Sequence, residues 1–295
     1  MEELEKYFKD NNLSPLTIKS YMRNLRLLND NKNFTDLNFL SKKKDIDDFL
    51  ESKKLNTKKN YYISIVSALS SESKKKKLYD YYHEKMMNLN KEVRANYSNN
   101  TKDSRENDNW KDWKDILTIK DDLLSKIESF KSKKKINATE YNTLLKGLIL
   151  SLYTMIPPRR NGDYLDMFVG VDDDDSVNWC NMKSKKLIFN KYKTSKKEGQ
   201  LIVDMPNDLY DIIKIYLKFK PNDTDSFLLF SDGKEFNVNS ITYILNSATG
   251  KKIGSSLLRH IYLSSKYGDR LNEMKDDAKA MGHSLGMQKD YIKTD

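Results

Sequence analysis

The chain has 295 residues, enough for two domains, with 38% hydrophobic and 11% aromatic residues to build cores and 33% charged residues to solvate the surface. Its net charge of +10 points to an acidic polymer as partner, and the excess is spread: 22 Lys/Arg against 17 Asp/Glu over 1–109, and 31 against 26 over 110–295. A single cysteine, Cys180, excludes an intramolecular disulfide and a thiolate metal cluster, and three scattered histidines argue against zinc. The charged start and the lack of any run near 20 apolar residues predict a soluble, intracellular protein with no membrane segment.

The first hundred residues read as short helices. Ser14 before Pro15 predicts a capped helix over Thr17–Leu28. Ile46–Leu50 belongs to a second helix, Thr57–Leu69 to a third, and a fourth runs from about Lys74 to Val93, where Leu78, Tyr81, Tyr82, Met86 and Leu89 recur at helical spacing. Lysines flank these helices, among them Lys58, Lys59, Lys74 and Lys75. Residues 97–109, YSNNTKDSRENDN, have a linker's composition. The expected organisation is therefore a helical domain over 1–96, a linker over 97–109 and a second domain over 110–295.

Trp110 and Trp113 restart the apolar pattern. Residues 137–156 predict a long buried helix that stops at Pro157–Pro158, because proline cannot continue it. Short apolar runs at Met167–Val171, Leu187–Phe189 and Leu201–Val203 predict strands. Helical patterns return after Pro206 through Lys218, and again from Val238. The fold class expected is mainly α with a small antiparallel β-sheet, an α+β arrangement.

Five residues in the second domain carry chemistry by their order. Arg160 follows the buried helix in IPPRRNGDYLDM, and Lys193 lies in a segment that reads as a hairpin, FNKYKTSKK. Arg259 sits on a helix among Leu257, Leu258 and Ile261, where a guanidinium needs an anion or acceptor. His283 in AMGHS precedes Tyr291 by eight residues. Two guanidiniums can hold the non-bridging oxygens of a phosphodiester by forked hydrogen bonds, and a tyrosine can attack its phosphorus.

In this order the sequence resembles the tyrosine recombinase (integrase) family. LLRHIYLSS is similar to the family's Arg-His helix, MGHS to its Leu-Gly-His-Ser turn and YKTSK to its Lys-Thr hairpin. NWKDWKDI resembles integrase-like proteins of large DNA viruses and mobile elements. The resemblance covers 110–295 well and 1–96 more loosely, as a helical core-binding domain before a catalytic domain. It implies a metal-independent strand transferase without cofactor, in which Tyr291 forms a 3′-phosphotyrosyl link. Arg160 and Arg259 would clamp the phosphate, Lys193 would protonate the leaving 5′ oxygen, and His283 would assist. Double-stranded DNA is the implied partner, touched also by Lys58, Lys59, Lys74, Lys75 and Arg159, with self-assembly from dimer to tetramer on it. Nucleus, viral factory and cytoplasm are all compatible locations.

Three departures from the family pattern stand out. Ser256 occupies the position three before Arg259 where the family has His, and the adjacent His260 is turned about 100° away on a helix. The His283-to-Tyr291 spacing is one residue short, and only Ile292–Asp295 follow the tyrosine. A type IB topoisomerase and a catalytically silent DNA-binding relative are therefore kept as alternatives.

Overall fold

Local signals start the helices that the apolar pattern then packs. In the computed structural model, which describes residues 1–98, 101–171, 174–222 and 224–292, the chain forms two compact units, Met1–Thr101 and Lys102–Asp295. The first unit is helical: α1 (Glu2–Asp10), α2 (Pro15–Leu28), α3 (Lys43–Glu51), α4 (Leu55–Leu69) and α5 (Lys76–Ser98). The Ser14 hydroxyl accepts the Thr17 amide at 3.2 Å, with Pro15 at the first helical position. The helix α1, which the apolar pattern did not announce, is anchored by Leu4 and Phe8, one turn apart and both buried.

A polar knot ties α3, α4 and α5 together. The Asp47 carboxylate accepts from Tyr62 (3.2 Å), Tyr81 (2.5 Å) and Lys85 (2.5 Å), and Tyr82 donates to the Leu40 carbonyl at 2.8 Å. The second unit begins with α6 (Ser104–Asn109), inside the segment expected to be a linker. Its reciprocal capping box, Glu106 amide to Asp103 Oδ1 (2.7 Å) and Asp103 amide to Glu106 Oε2 (3.1 Å), explains why so polar a stretch is helical. Lys251 and Lys252 hold α6 against the rest of the unit, through the Asp108 carbonyl and Asn109 Oδ1.

Next come α7 (Trp113–Glu128) and α8 (Ala138–Thr154), the latter started by a second capping box, Asn137 with Glu140. The centre of α8, from Leu144 to Tyr153, is buried except at the half-buried Lys146, and packs against α7, α11 (Asn207–Phe219) and α12 (Ser240–Thr249). Gly147 permits the close approach of α7, since an added Cβ would stand 2.3 Å from Ile127 Cδ1. After the prolines and the short α9 (Gly162–Leu165) comes a four-stranded sheet, β1 (Met167–Val169), β2 (Asn178–Asn181), β3 (Lys186–Phe189) and β4 (Leu201–Asp204), in that order. β1 pairs parallel to β2 and the other pairs are antiparallel, so the sheet is mixed rather than wholly antiparallel. The fold is mainly helical with this small sheet. The β3–β4 connection carries the short α10 (Ser195–Glu198), and the described chain closes with α13 (Ser255–Ala280) and α14 (Leu285–Tyr291). No helix of the described residues is long and apolar enough to cross a membrane.

Burial works to raise the Asp47 carboxyl, but the hydrogen bonds from Lys85, Tyr81 and Tyr62 outweigh it and hold the group below its ordinary value. The folded unit thus binds this proton more weakly than the unfolded chain. The knot's contribution is complete above the unfolded value of about 3.9 and is lost as pH falls through the lowered one. Asp47→Asn should cost the first unit about 1–2 kcal/mol at pH 7, a figure kept low because the Lys85 side chain is 36% exposed. Hydrogen exchange of first-unit peptides should show this loss at neutral pH and a smaller difference from wild type near pH 3.

Candidate active site

The prolines after α8 turn the chain so that two adjacent arginines receive different tasks. Arg159 reaches back to Asp163 with Nε at 3.0 Å and Nη2 at 2.9 Å from Oδ2, and its guanidinium lies 3.8 Å over the Phe189 ring and 5.1 Å over that of Tyr192. Asp163 is buried; burial pushes its carboxyl up from the ordinary range, against the pull of Arg159 and Arg160. Arg159 is therefore an internal partner of the sheet, and the DNA contact expected of it is not available to a guanidinium so engaged. The half-buried Arg160 side chain makes no hydrogen bond or ion pair among the described residues, acting on Asp163 only through longer-range attraction.

The lysine hairpin is fixed to this turn by one buried amide. Asn178, at the start of β2, donates from Nδ2 to the carbonyls of Asp163 (2.8 Å) and Lys191 (2.9 Å), and its Oδ1 accepts the Lys191 amide at 2.8 Å. Two residues on, Lys193 is exposed at the turn before α10, as a hairpin lysine should be. Tyr192 steadies the same loop by donating to the Gly199 carbonyl at 2.8 Å while its ring lies against Arg159.

Arg259 joins from α13. Its Nε donates to the Ser255 carbonyl (3.2 Å) and its Nη2 to Ser256 Oγ (3.1 Å), with no carboxylate partner among the described residues. Its charge acts on the buried Tyr153 hydroxyl, which burial raises well above its ordinary value and which also interacts with Ser255. That hydroxyl donates to Asn161 Oδ1 at 2.8 Å, and Asn161 donates to Thr242 Oγ1 at 2.9 Å. Asn161 directly follows Arg160, so a chain of hydrogen bonds links the Arg160 turn, α12 and the start of α13. Ser256 holds the guanidinium rather than standing free as a base, and His260 faces away, its Nδ1 2.5 Å from Glu106 Oε1 on α6.

His283 and Tyr291 form a second group. Gly282, at φ +71°, ends α13 in the left-handed conformation, and the His283 amide reaches back to the Ala278 carbonyl at 3.0 Å. Ser284 then caps α14 by accepting the Met287 amide at 3.2 Å. The motif MGHS is thus a stop, a turn and a start. The rings of His283 and Tyr291 meet edge to face, 5.5 Å between centroids. His283 Nδ1 points to the Ser284 carbonyl at 3.3 Å, while its Nε2 is shielded and without a hydrogen-bond partner.

The two groups do not meet. From Arg259 to Ala280 the unbroken helix rises about 30 Å, and α14 can return at most about 10 Å, leaving Tyr291 on the order of 20 Å from Arg259. Convergence of all five residues, which their order implies, is not realised within this chain: Asn161 and Tyr153 link the Arg160 turn to the start of α13, Asn178 ties the Lys193 hairpin to the same turn, and His283 with Tyr291 stands apart.

In the first unit, Lys58 and Lys75 are paired with Glu51 (3.3 Å) and Glu72 (2.9 Å), whereas Lys74 is exposed and Lys59 half-buried without a salt bridge among the described residues. A more coherent basic face lies on α2, where the exposed Lys19, Arg23 and Arg26 recur at i, i+4, i+7. Neither α2 nor α4, which pack together and are joined by Asn24 Nδ2 to Ser64 Oγ at 3.0 Å, contains an acidic residue. That spacing was visible in the sequence; clustered lysines drew the attention instead. Among the described residues no group of three His, Cys, Asp or Glu could hold a metal ion.

Comparison of the chain with family models, with curated proteins and with solved structures gives no match.

The two arginines should separate by experiment. Arg159→Ala leaves Asp163, whose side chain is 5% exposed, without its partner and should cost about 3–5 kcal/mol in denaturant unfolding. Arg160→Ala should stay within about 0.5 kcal/mol of wild type. Equal losses would mean that Arg160 is structural too.

Proposed function

We propose that the chain is a tyrosine recombinase, a DNA strand transferase that cleaves and rejoins duplex DNA through a 3′-phosphotyrosyl intermediate. The observation that carries this reading is the pair Arg160 and Arg259. Both are half-buried guanidiniums, Arg259 held by two hydrogen bonds and Arg160 carried on a turn that Asn161 fixes, and neither has a hydrogen-bonded carboxylate among the described residues. Holding positive charge partly out of water without a counter-ion is costly, and a phosphodiester supplies the missing anion. The planar forks can each grip a non-bridging oxygen, where charge grows as phosphorus becomes five-coordinate.

The remaining residues fit one balanced exchange. Tyr291 Oη bonds to phosphorus and gives up its proton, the bond from phosphorus to the 5′ oxygen breaks, and Lys193 protonates that oxygen. The bond energy is kept in the phosphotyrosyl ester, so a second 5′ hydroxyl can reverse the step without ATP. His283, whose Nε2 is shielded and has no hydrogen-bond partner among the described residues, would take a proton from Tyr291 or, once exposed, hydrogen-bond a phosphate oxygen. Ser256 would orient Arg259. In the first unit, Lys19, Arg23, Arg26 and Lys59 would lie against duplex phosphates, supplying affinity that falls steeply with salt. Self-assembly on DNA belongs to the same reading.

The distance of Tyr291 from the arginines favours a second reading, a DNA-binding relative that does not cleave. A nicked duplex, which loses its short 5′ fragment on cleavage and so traps the intermediate, decides between them. Wild type should give a covalent protein–DNA band in the presence of chelator, and Tyr291→Phe none. Retarded DNA with no covalent band from wild type on any duplex would favour the silent binder.

A further inference from the structure

Helices α7, α8 and α12 of the second unit leave a cleft of about 200 Å³ between them. From α7 come Ile119, Asp122, Leu123 and Lys126, spaced i, i+3, i+4, i+7 and therefore on one face of the helix. From α8 comes Lys146, and from α12 Ala248. The space has a steric origin. Next to Lys146, Gly147 lets α7 close onto α8 at Ile127, while α12 presents only the methyl group of Ala248 to the cleft.

The cleft is amphipathic. Ile119, Leu123 and Ala248 are half-buried and aliphatic, and no aromatic ring lines it. Lys146 is half-buried in a stretch of α8 that is otherwise buried, and it makes no hydrogen bond or ion pair among the described residues. The exposed Lys126 and Asp122 make none either, so the lining carries a net charge of +1. A lysine stem gains from lying along apolar walls, but the ammonium of Lys146 is left partly desolvated without a counter-ion. An inorganic anion would match that charge and leave the aliphatic walls wet; an alkane would do the reverse. A nucleobase would find no ring to stack on. The volume lies below that of pockets for drug-sized ligands and suits roughly ten heavy atoms.

We infer that this cleft binds a small alkyl carboxylate, of about eight carbons, as a ligand distinct from DNA. The chain lies along Ile119, Leu123 and Ala248, and the carboxylate meets Lys146 and Lys126. A monoanion balances the lining, whereas a phosphate monoester brings nearly two negative charges. None of the five residues proposed for strand transfer lines the cleft, so the inference stands independently of that reading.

Titration of the full chain with octanoate, followed by methyl NMR, tests it. The shifts should be confined to Ile119, Leu123, Ala248 and their neighbours, and should saturate with a Kd of about 1 mM or below. Acetate, which has the charge without the chain, and octanol, which has the chain without the charge, should each bind at least about tenfold more weakly. Lys146→Gln should weaken octanoate about tenfold and leave octanol unchanged. Ala248→Leu, which fills the cleft and keeps both lysines, should remove octanoate binding; each variant serves if the other folds poorly. Shifts that scatter over the surface or fail to saturate would overturn the inference. So would octanol binding as tightly as octanoate, or both variants binding octanoate like wild type.

Discussion

The second unit depends on how one buried carboxylate chooses between two neighbouring cations. Asp163, buried on α9, holds one guanidinium, and it takes Arg159 from the segment that precedes the helix rather than Arg160. Arg159 is then sandwiched between Asp163 and the rings of Phe189 and Tyr192, which closes the gap between the arginine turn and the hairpin. Arg160 is left with its charge uncancelled at the surface of the same turn. Had Asp163 taken Arg160, the unit would have lost both its inner tie and its outward cation. A pair of adjacent arginines is the economical way to obtain a rigid base and a free charge from one turn.

In the proposed function rigidity matters, because a phosphate clamp works only when its forks are placed before the anion arrives. The polar groups that tie these segments are hydrogen-bonded, Asn178 and Tyr153 fully buried and Asn161 and Thr242 half-buried. Asn178 uses both its donors and its acceptor on two backbone segments, and Tyr153, Asn161 and Thr242 form a line from α8 to α12. Each would be costly to leave unsatisfied, so they fix a single arrangement. Lys193, by contrast, sits on an exposed turn whose ends are tied and whose middle is open. In the proposed strand transfer, a proton donor that must follow a departing oxygen would benefit from that freedom.

Much of this was legible in the sequence, and the misses have physical causes. The α8 helix and its proline stop, the Ser14–Pro15 start and three of the four strands follow from periodicity and backbone sterics. The strand β2 did not, because NWCN places a buried asparagine where a strand pattern calls for an apolar residue, and its partners are backbone groups far along the chain. The segment 97–109 read as linker by composition, yet Asp103 and Glu106 were a capping box in plain view, and Glu106 also occupies His260. Composition measures burial, whereas capping measures backbone satisfaction, and a short polar helix answers only to the second. The order Arg160, Lys193, Arg259, His283, Tyr291 gave the residue types but no distances, since whether a helix runs on or bends between Arg259 and His283 moves the tyrosine by tens of ångströms.

That last ambiguity is itself informative about how such a site is controlled. A tyrosine placed beside two unpaired arginines would be ready for any phosphodiester that drifted in, and cleavage of the wrong duplex is a lesion. Placing it at the end of an arm separates binding from chemistry: the arginines can hold a phosphate while nothing attacks it. The electrostatics reinforce the separation. In the proposed strand transfer, residues 263–280, with four Lys/Arg and four Asp/Glu, would gain little from DNA, whereas Arg160 and Arg259 would gain much.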